Sequence, residues 1–336
     1  MINYLLEIPI VISFLVTLLF MPNWIRKAKQ IGLMWNDMNK ISSKRVAGSG
    51  GIVVVLGFVI GLLLFVGYLV FYESENNFLV EIFALLSVIL LLAGIGLVDD
   101  LLGWQKGGLR RRTRIIFVLV ASIPLIAMNA GKSTIGLPLV GFVDLGIIYP
   151  LIFIPIGIIG ATTTFNFLAG FNGLEAGQGV IMLSSLALVS YLTGSAWLSI
   201  IALCMVFSLL AFLLFNFYPA KIFPGDVLTY PVGGLIAIMA ILGNYEKIAV
   251  FFFIPTIIEV FLKGRGKYVK QSFGKPMKDG SLDLRYEKIY SLNHLAIFLM
   301  RKFKIKSTER KVVLSLWTFQ IVIILLGFIL FRGGIF

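Results

Sequence analysis

Long apolar runs alternate with short polar segments along this 336-residue chain. Runs of roughly 16 to 22 apolar residues suit helices that cross a membrane. We predict ten such helices, at residues 4–22, 51–72, 79–98, 114–129, 146–165, 176–193, 196–215, 227–243, 248–262 and 312–332. Backbone amides that stay unpaired in lipid are costly, so we expect each run to be helical.

The composition supports this interpretation. Hydrophobic residues make up 59% of the chain and charged residues 13%, whereas soluble domains are about one quarter charged. We therefore expect an all-α integral membrane protein with one polytopic domain over residues 1–336. The first run has no preceding basic segment and carries Glu7, so we interpret it as a retained span rather than a cleavable signal peptide. The single cysteine, Cys204, excludes an internal disulfide.

The loop charges predict the orientation. Residues 23–50, 99–114 and 263–311 are rich in Lys and Arg, whereas the loop after the second span carries Glu73 and Glu75. With ten spans, all three basic segments lie on one side, which the excess of Lys and Arg identifies as cytoplasmic. This topology explains the formal net charge of +13 without nucleic acid binding.

The range 263–311 is the one long basic loop, and it is expected to be cytoplasmic. Within it, the scattered glycines and the single proline of the polar insertion at 264–291 predict a hairpin-like excursion. We expect the turn of this hairpin at residues 278–281, which read KDGS.

Asp99 and Asp100 end an apolar run. One interpretation is a simple helix stop at the membrane interface. However, anions at a helix C-terminus oppose the helix dipole, and adjacent carboxylates repel each other. The pair therefore needs a bound metal ion or the arginines at 110–112 as a partner.

Two further polar strings adjoin apolar runs. NFLAGFNGLEAGQG at 166–179 contains Asn166, Asn172 and Glu175, and FPGDV at 223–227 contains Asp226. The first string could simply make polar contacts between helices, and Asp226 could simply cap a helix. Polar groups at the ends of membrane spans nevertheless carry a free-energy cost unless they bind a charged ligand, which favours a functional site.

These strings and the Asp99-Asp100 pair resemble the polyprenyl-phosphate N-acetylhexosamine-1-phosphate transferases of glycosyltransferase family 4. The form of the string at 166–179 is closest to the branch that uses dolichyl phosphate. The first polar loop, from Asp37 to Lys40, is also similar to that family's first loop. The resemblance implies transfer of GlcNAc-1-phosphate from UDP-GlcNAc to a polyprenyl phosphate, with release of UMP, as the first membrane step of lipid-linked glycan assembly.

The resemblance also implies roles for particular residues. Asp99 and Asp100 are the expected catalytic residues, and Asn166 and Asp226 are the expected ligands of Mg²⁺. The expected substrate-binding residues are Lys40, Arg110, Arg112, Asn172, Glu175, Arg265 and Lys267. The implied partners are UDP-GlcNAc, the polyprenyl or dolichyl phosphate and membrane lipid, and a homodimer is one arrangement that the sequence permits.

The chain departs from the family pattern in its last long loop, where only Arg265, Lys267 and Lys270 stand near the usual basic motif. Transfer of MurNAc-pentapeptide phosphate or of another N-acetylhexosamine phosphate therefore stays an alternative. Glu175 favours GlcNAc, because the muramoyl branch usually has aspartate there. A transporter or lipid flippase is a distant alternative, since no internal repeat is evident. The expected location is an archaeal cell membrane or the endoplasmic reticulum membrane.

Overall fold

The computed structural model describes residues 4–42, 44–74, 77–137 and 141–332, so Glu75 lies outside the described residues. Within these ranges the chain forms thirteen α-helices: α1 (Glu7–Gln30), α2 (Gly51–Tyr68), α3 (Leu79–Lys106), α4 (Arg111–Ala121), α5 (Ile123–Ala127), α6 (Ile154–Phe165), α7 (Leu174–Leu192), α8 (Ala196–Asn216), α9 (Asp226–Gly243), α10 (Glu246–Phe252), α11 (Ile254–Arg265), α12 (Leu292–Lys302) and α13 (Glu309–Leu330). A 3₁₀ turn, Tyr4–Leu6, precedes α1, and π-helical turns at Leu69–Glu73 and Tyr149–Phe153 follow α2 and precede α6.

Seven of the described helices are long and apolar enough to cross a membrane: α1, α2 with its π-helical continuation, α3, α7, α8, α9 and α13. The prediction of a mostly helical chain with many membrane-spanning helices is thus confirmed. The other predicted spans, at 114–129, 146–165 and 248–262, each contain two helical segments rather than one. The count of ten spans stays a prediction.

A proline marks each of these divided segments. Pro124, Pro155 and Pro255 each stand in the first turn of the second segment, in α5, α6 and α11. Proline has no backbone N–H to continue the hydrogen bonding of a preceding turn, and its ring clashes with the carbonyl four residues earlier. The hydropathy of these runs indicates their burial in lipid, but it does not register the breaks.

Three short antiparallel hairpins lie between helices. They pair β1 (Met34–Asn36) with β2 (Arg45–Ala47), β3 (Thr134–Leu137) with β4 (Gly141–Asp144), and β5 (Lys275–Pro276) with β6 (Leu282–Asp283). The third hairpin confirms the turn predicted at 278–281: Met277 N–H donates to the Ser281 carbonyl at 2.9 Å, and Gly280 has a φ of +76°.

Helix α9 is the centre of the bundle, and nearly all of its length is buried. Helices α3, α6, α7 and α8 pack around it. A glycine permits the closest approach: a Cβ on Gly96 would lie 2.4 Å from the Asp226 carbonyl oxygen. The end of α3, which carries Asp99 and Asp100, is therefore in direct contact with the start of α9.

Several helix ends meet on one side of the bundle. Helices α3 and α6 finish there, and α7, α9 and α13 begin there. The loop before α2 joins them, because Phe223 N–H donates to the Ala47 carbonyl at 2.8 Å and Gly50 N–H donates to the Phe223 carbonyl at 2.9 Å. Segments that are far apart in the sequence thus form one polar surface at the end of an apolar bundle.

Candidate active site

A cavity of about 640 Å³ opens where these helix ends meet. Its lining residues lie in the ranges 35–38, 48–49, 99–114, 166–175, 216–229 and 271–273. Six of the residues predicted for the site contribute to this lining: Asp99, Asp100, Asn166, Asn172, Glu175 and Asp226. The structure therefore brings both polar strings and the aspartate pair into one cavity.

Asp99 is buried and forms an ion pair with Arg114. Arg114 lies against both carboxylate oxygens, with Nε 2.6 Å from Oδ2 and Nη2 3.1 Å from Oδ1. The Leu109 N–H donates to Oδ1 at 2.7 Å, and the Tyr230 hydroxyl donates to Oδ2 at 3.1 Å. The ion pair and the three hydrogen bonds, from Arg114 Nη2, the Leu109 N–H and the Tyr230 hydroxyl, offset the cost of burying the carboxylate. They also fix its orientation.

Asp100 caps the start of α9. Its Oδ1 accepts the Asp226 N–H at 2.7 Å, and its Oδ2 accepts the Ser49 hydroxyl at 2.9 Å and the Val227 N–H at 3.5 Å. A carboxylate at this end of α9 is favourable, because the first N–H groups of a helix lack intrahelical partners and carry partial positive charge. Asp100 thus links α3, α9 and the loop before α2.

Gly225 makes this cap possible. It has a φ of +74°, and a Cβ there would lie only 2.1 Å from Oδ2 of Asp100. Any other residue would meet both an unfavourable backbone conformation and a clash with the carboxylate. The glycine of the string FPGDV is therefore required by the geometry of the site.

Asp226 and Asn166 form the side of the cavity that best fits a hard cation. Asn166 Nδ2 donates to Oδ1 of Asp226 at 2.8 Å, which leaves the Asn166 carbonyl oxygen and Asp226 Oδ2 as oxygen donors. Both oxygens of Asp99 and Asp100 already accept hydrogen bonds. Mg²⁺ prefers oxygen ligands and commonly takes one or two carboxylates together with phosphate oxygens and water. Within the described residues there is no group of three or more His, Cys, Asp or Glu that could hold a metal ion by itself.

A second group of polar side chains also lines the cavity. Asn172 Nδ2 donates to Oδ2 of Asp37 at 3.2 Å, and Glu175 Oε1 accepts the Gly170 N–H at 3.0 Å. The ring of Phe273 covers Gly170, where a Cβ would lie 2.9 Å from the ring. The long loop after α11 therefore closes this side of the cavity.

Among the predicted basic residues, Lys40 contacts a residue of the lining. It forms an ion pair with Asp37, and its Nζ lies 4.9 Å from the centre of the Tyr218 ring. Lys40 is thus placed beside the cavity but is already neutralised by a lining residue.

The other predicted basic residues stand apart. Arg110, Arg112, Arg265 and Lys267 are exposed and do not line the cavity. Between the first two, Arg111 donates to the Tyr268 carbonyl at 2.8 Å. Their roles in substrate binding stay predictions.

Sequence reasoning missed several residues of the site. Arg114 was not chosen from a run of arginines, since only the start of α4 at Arg111 shows which side chain turns toward Asp99. Glu309 was overlooked because it is one acid at the edge of a span, and Asp37 was named only for the resemblance of the first polar loop, without a role in the site. An acid in such a position was the available signal.

Comparison with known proteins supports the same assignment. The model of glycosyl transferase family 4 matches residues 82–244. A protein of Saccharolobus solfataricus, provisionally named UDP-N-acetylglucosamine–dolichyl-phosphate N-acetylglucosaminephosphotransferase, is 37% identical over 96% of both chains. The chain belongs to glycosyl transferase family 4. This membership confirms the predicted resemblance and the prediction of an enzyme of this transferase class.

More distant relatives belong to both branches that the sequence suggested. A Dictyostelium discoideum protein named UDP-N-acetylglucosamine–dolichyl-phosphate N-acetylglucosaminephosphotransferase is 31% identical over 73% of this chain and 68% of its own length. A phospho-N-acetylmuramoyl-pentapeptide-transferase of Halalkalibacterium halodurans is 28% identical over 80% of this chain and 87% of its own length.

Proposed function

We propose that this protein transfers GlcNAc-1-phosphate from UDP-GlcNAc to a polyprenyl phosphate of the dolichyl type and releases UMP, as the first membrane step of lipid-linked glycan assembly. The observation that carries the proposal is the cavity at the end of the bundle, where Asp226 and Asn166 lie beside the Asp99–Arg114 ion pair. Similarity to the Saccharolobus protein over 96% of the chain supports the choice of donor and acceptor.

The reaction exchanges one phosphoanhydride for another. An oxygen of the lipid phosphate forms a bond to the sugar-side phosphorus of UDP-GlcNAc. The bond from that phosphorus to the bridging oxygen breaks, and the oxygen leaves with UMP. No oxidant or reductant is required. Positioning of two anions and stabilisation of the charge on phosphate oxygens are the main tasks of such a site.

The residues of the cavity are suited to these tasks. Asp226 and Asn166 would hold Mg²⁺, which supplies positive charge against the diphosphate when it is bound. Arg114 also lines the cavity, where it is paired with Asp99. Asp99 and Asp100 are the proposed catalytic residues that meet the lipid phosphate, and their contacts hold Arg114 and the start of α9 in place.

The proposal includes the location of the site. We place the cavity on the cytoplasmic face of an archaeal cell membrane or an endoplasmic reticulum membrane, because the basic ranges 23–50, 99–114 and 263–311 contribute to its surroundings. Positive potential at this face would attract the nucleotide sugar. The lipid tail would stay in the membrane beside the bundle.

The test is a product assay on the purified protein in lipid nanodiscs with polyprenyl phosphate, Mg²⁺ and UDP-GlcNAc. UMP should appear in equal amount with a diphosphate-linked lipid sugar, and excess UMP should drive the product back to UDP-GlcNAc. Release of UDP without a UMP-driven back reaction would rule out the proposed reaction class.

Competition between donors in the same assay tests the sugar. UDP-GlcNAc should be used in preference to UDP-MurNAc-pentapeptide and to other UDP-N-acetylhexosamines. Preference for the muramoyl donor would favour the alternative branch, to which the Halalkalibacterium relative belongs by name.

A further inference from the structure

Glu309, the first residue of α13, carries a buried carboxylate beside the cavity, and only 4% of the residue is exposed. Its Oε1 accepts the backbone N–H of Asn172 at 2.9 Å and the side-chain amide of Asn39 at 3.5 Å. A single carboxylate oxygen thus joins the start of α13 to the string at 166–179 and to the first polar loop.

Asn39 extends this junction to the long basic loop. Its Nδ2 donates to the Gly170 carbonyl at 2.8 Å, and its Oδ1 accepts the Gly274 N–H at 3.0 Å. Gly274 follows Phe273, which covers the cavity. Asn39 therefore links the segment of Phe273 and Gly274, which covers the cavity, to the hydrogen-bond network of Glu309.

The network also sets the orientation of Asn172. The backbone N–H of Asn172 is fixed by Glu309, and its side-chain nitrogen faces the Asp37 carboxylate at 3.2 Å. An ionised carboxylate can only accept hydrogen bonds, so the amide nitrogen must face Asp37. The side-chain carbonyl oxygen is then turned away from Asp37, on a residue that lines the cavity.

We call Asp37, Asn39, Asn172 and Glu309 the acid–amide cluster. Two of its members are buried carboxylates and two are amides, and the neighbouring cation, Lys40, is paired with Asp37. Such a surface repels phosphate but suits a neutral group with N–H or O–H donors and carbonyl acceptors. Phosphate is better placed near Asp226 and Asn166, where bound Mg²⁺ would supply the positive charge.

We infer that Glu309 is a positioning residue for the nucleotide sugar: through Asn172 and Asn39 it orients the side of the cavity that binds the neutral, hydrogen-bonding part of the donor. That part is either the uridine or the N-acetyl sugar. The inference rests on the proposed function, since it assumes a nucleotide-sugar donor. Glu309 itself acts through the two asparagines rather than by touching the reacting phosphorus.

The test compares Glu309→Ala with Glu309→Gln in the UMP-release assay. Glu309→Ala removes both hydrogen bonds, so the KM for UDP-GlcNAc should rise about tenfold. The kcat and the KM for polyprenyl phosphate should stay close to those of the unmodified protein. Glu309→Gln should restore the low KM, because its amide oxygen can accept the same two bonds and Oε2 of Glu309 has no hydrogen-bond partner among the described residues.

Two other variants separate positioning from loss of folding. Glu246→Ala is the matched control, because Glu246 also begins a helix and bonds Tyr149 away from the cavity. It should leave the KM for UDP-GlcNAc unchanged. Asn39→Ala removes the second junction, and it should raise that KM in the same way if Glu309→Ala does not fold.

Inhibition by UMP distinguishes the two parts of the donor. If the acid–amide cluster positions uridine, the inhibition constant of UMP should rise in parallel with the KM of Glu309→Ala. If it positions the sugar, the KM should rise while the UMP inhibition constant stays unchanged. Both results support the inference.

An unchanged KM for UDP-GlcNAc in both Glu309→Ala and Asn39→Ala would overturn the inference. An equal rise in the KM for polyprenyl phosphate, or failure of Glu309→Gln to restore the KM, would also overturn it. Failure of the unmodified protein to release UMP from UDP-GlcNAc would instead refute the proposed function, so the two failures are distinguishable.

Discussion

The carboxylate of Asp100 accepts the backbone N–H of Asp226 at 2.7 Å. The last acid of the aspartate pair thereby caps the helix that begins with the proposed metal ligand. A displacement of α3 would move α9, and the proposed lipid-phosphate and metal sites would shift together. The positions of the two sites are thus coupled through this hydrogen bond.

Replacement of Asp100 tests this coupling between α3 and α9. Asp100→Ala should lose most of the UMP-release activity and destabilise the protein by about 1 kcal/mol, as loss of a helix cap usually does. Asp100→Asn keeps an acceptor for the Asp226 N–H, so it should retain more stability than Asp100→Ala while losing activity. Thermal unfolding in detergent and the UMP assay measure the two effects.

The matched control for Asp100 is Asp144→Ala. Asp144 belongs to the β3–β4 hairpin and does not line the cavity. Its replacement should leave the activity nearly unchanged. Equal sensitivity of the two aspartates would contradict both the site and the predicted topology.

Asp226→Asn should abolish most activity while the fold survives. The amide keeps the shape of the side chain but removes the charge that would attract Mg²⁺. Activity should be measured as a function of Mg²⁺ concentration, and elution from a sizing column should show that the variant is folded. Near-normal turnover of the variant at limiting Mg²⁺ would refute the assignment of the metal site.

Arg114 and Arg112 should differ sharply. Arg114→Ala leaves the Asp99 carboxylate buried without its cation, and removal of one partner of a buried ion pair commonly costs several kcal/mol. The expected loss is smaller here, since the Arg114 side chain is 32% exposed and is screened by solvent. We expect Arg114→Ala to lose activity and to unfold at a lower temperature.

Arg112→Ala serves as the control, because Arg112 is exposed and lies outside the cavity lining. It should unfold like the unmodified protein. Its KM for UDP-GlcNAc also tests the predicted role of Arg112 in substrate binding. A larger effect of Arg112→Ala than of Arg114→Ala on unfolding would show that the ion pair with Asp99 is unimportant.

His294 predicts a dependence of stability on pH. Burial lowers the pKa of His294 below its ordinary value, and Lys263 and Arg285 act in the same direction. The neutral ring fits its place: Nε2–H donates to the Phe273 carbonyl at 3.1 Å, and Nδ1 accepts the Tyr290 N–H at 3.4 Å. Protonation of Nδ1 would place its N–H against the backbone N–H of Tyr290, so that two donors would face each other.

Because the pKa in the folded state is depressed, this stabilisation is fully present above the pKa of the unfolded chain, about 6.5. It is lost as the pH falls through the pKa of the folded state. Between about pH 7.5 and pH 5 the unfolding temperature of the unmodified protein should therefore fall relative to that of His294→Gln. His294→Gln should show a weaker fall over the same range, and equal slopes would contradict the prediction.

Much of the site could be predicted because its polar strings stand directly after apolar runs. Asn166 and Asp226 are polar residues at the ends of apolar runs, and polar residues in such positions indicate a functional role. Arg114 could not be predicted, since the choice among neighbouring arginines depends on where α4 begins. The partners of Glu309 could not be predicted either, because its hydrogen bonds cross more than a hundred residues of sequence.

The fold, like the site, was predicted in part from the sequence. Hydropathy was sufficient for the long spans, because burial in lipid requires only apolar length. It was insufficient for the divided segments at 114–129, 146–165 and 248–262, where the interruption comes from a proline rather than from polarity. Ten predicted spans and seven clear ones differ for this reason.

The position of Glu309 has a consequence for biosynthesis. Asn39 and Asn172 leave the ribosome long before Glu309 does, so a nascent chain cannot complete their network until α13 has been made and inserted. Partly synthesised chains would then bind the nucleotide sugar poorly. High affinity for the nucleotide sugar would then require that α13 has been synthesised and inserted.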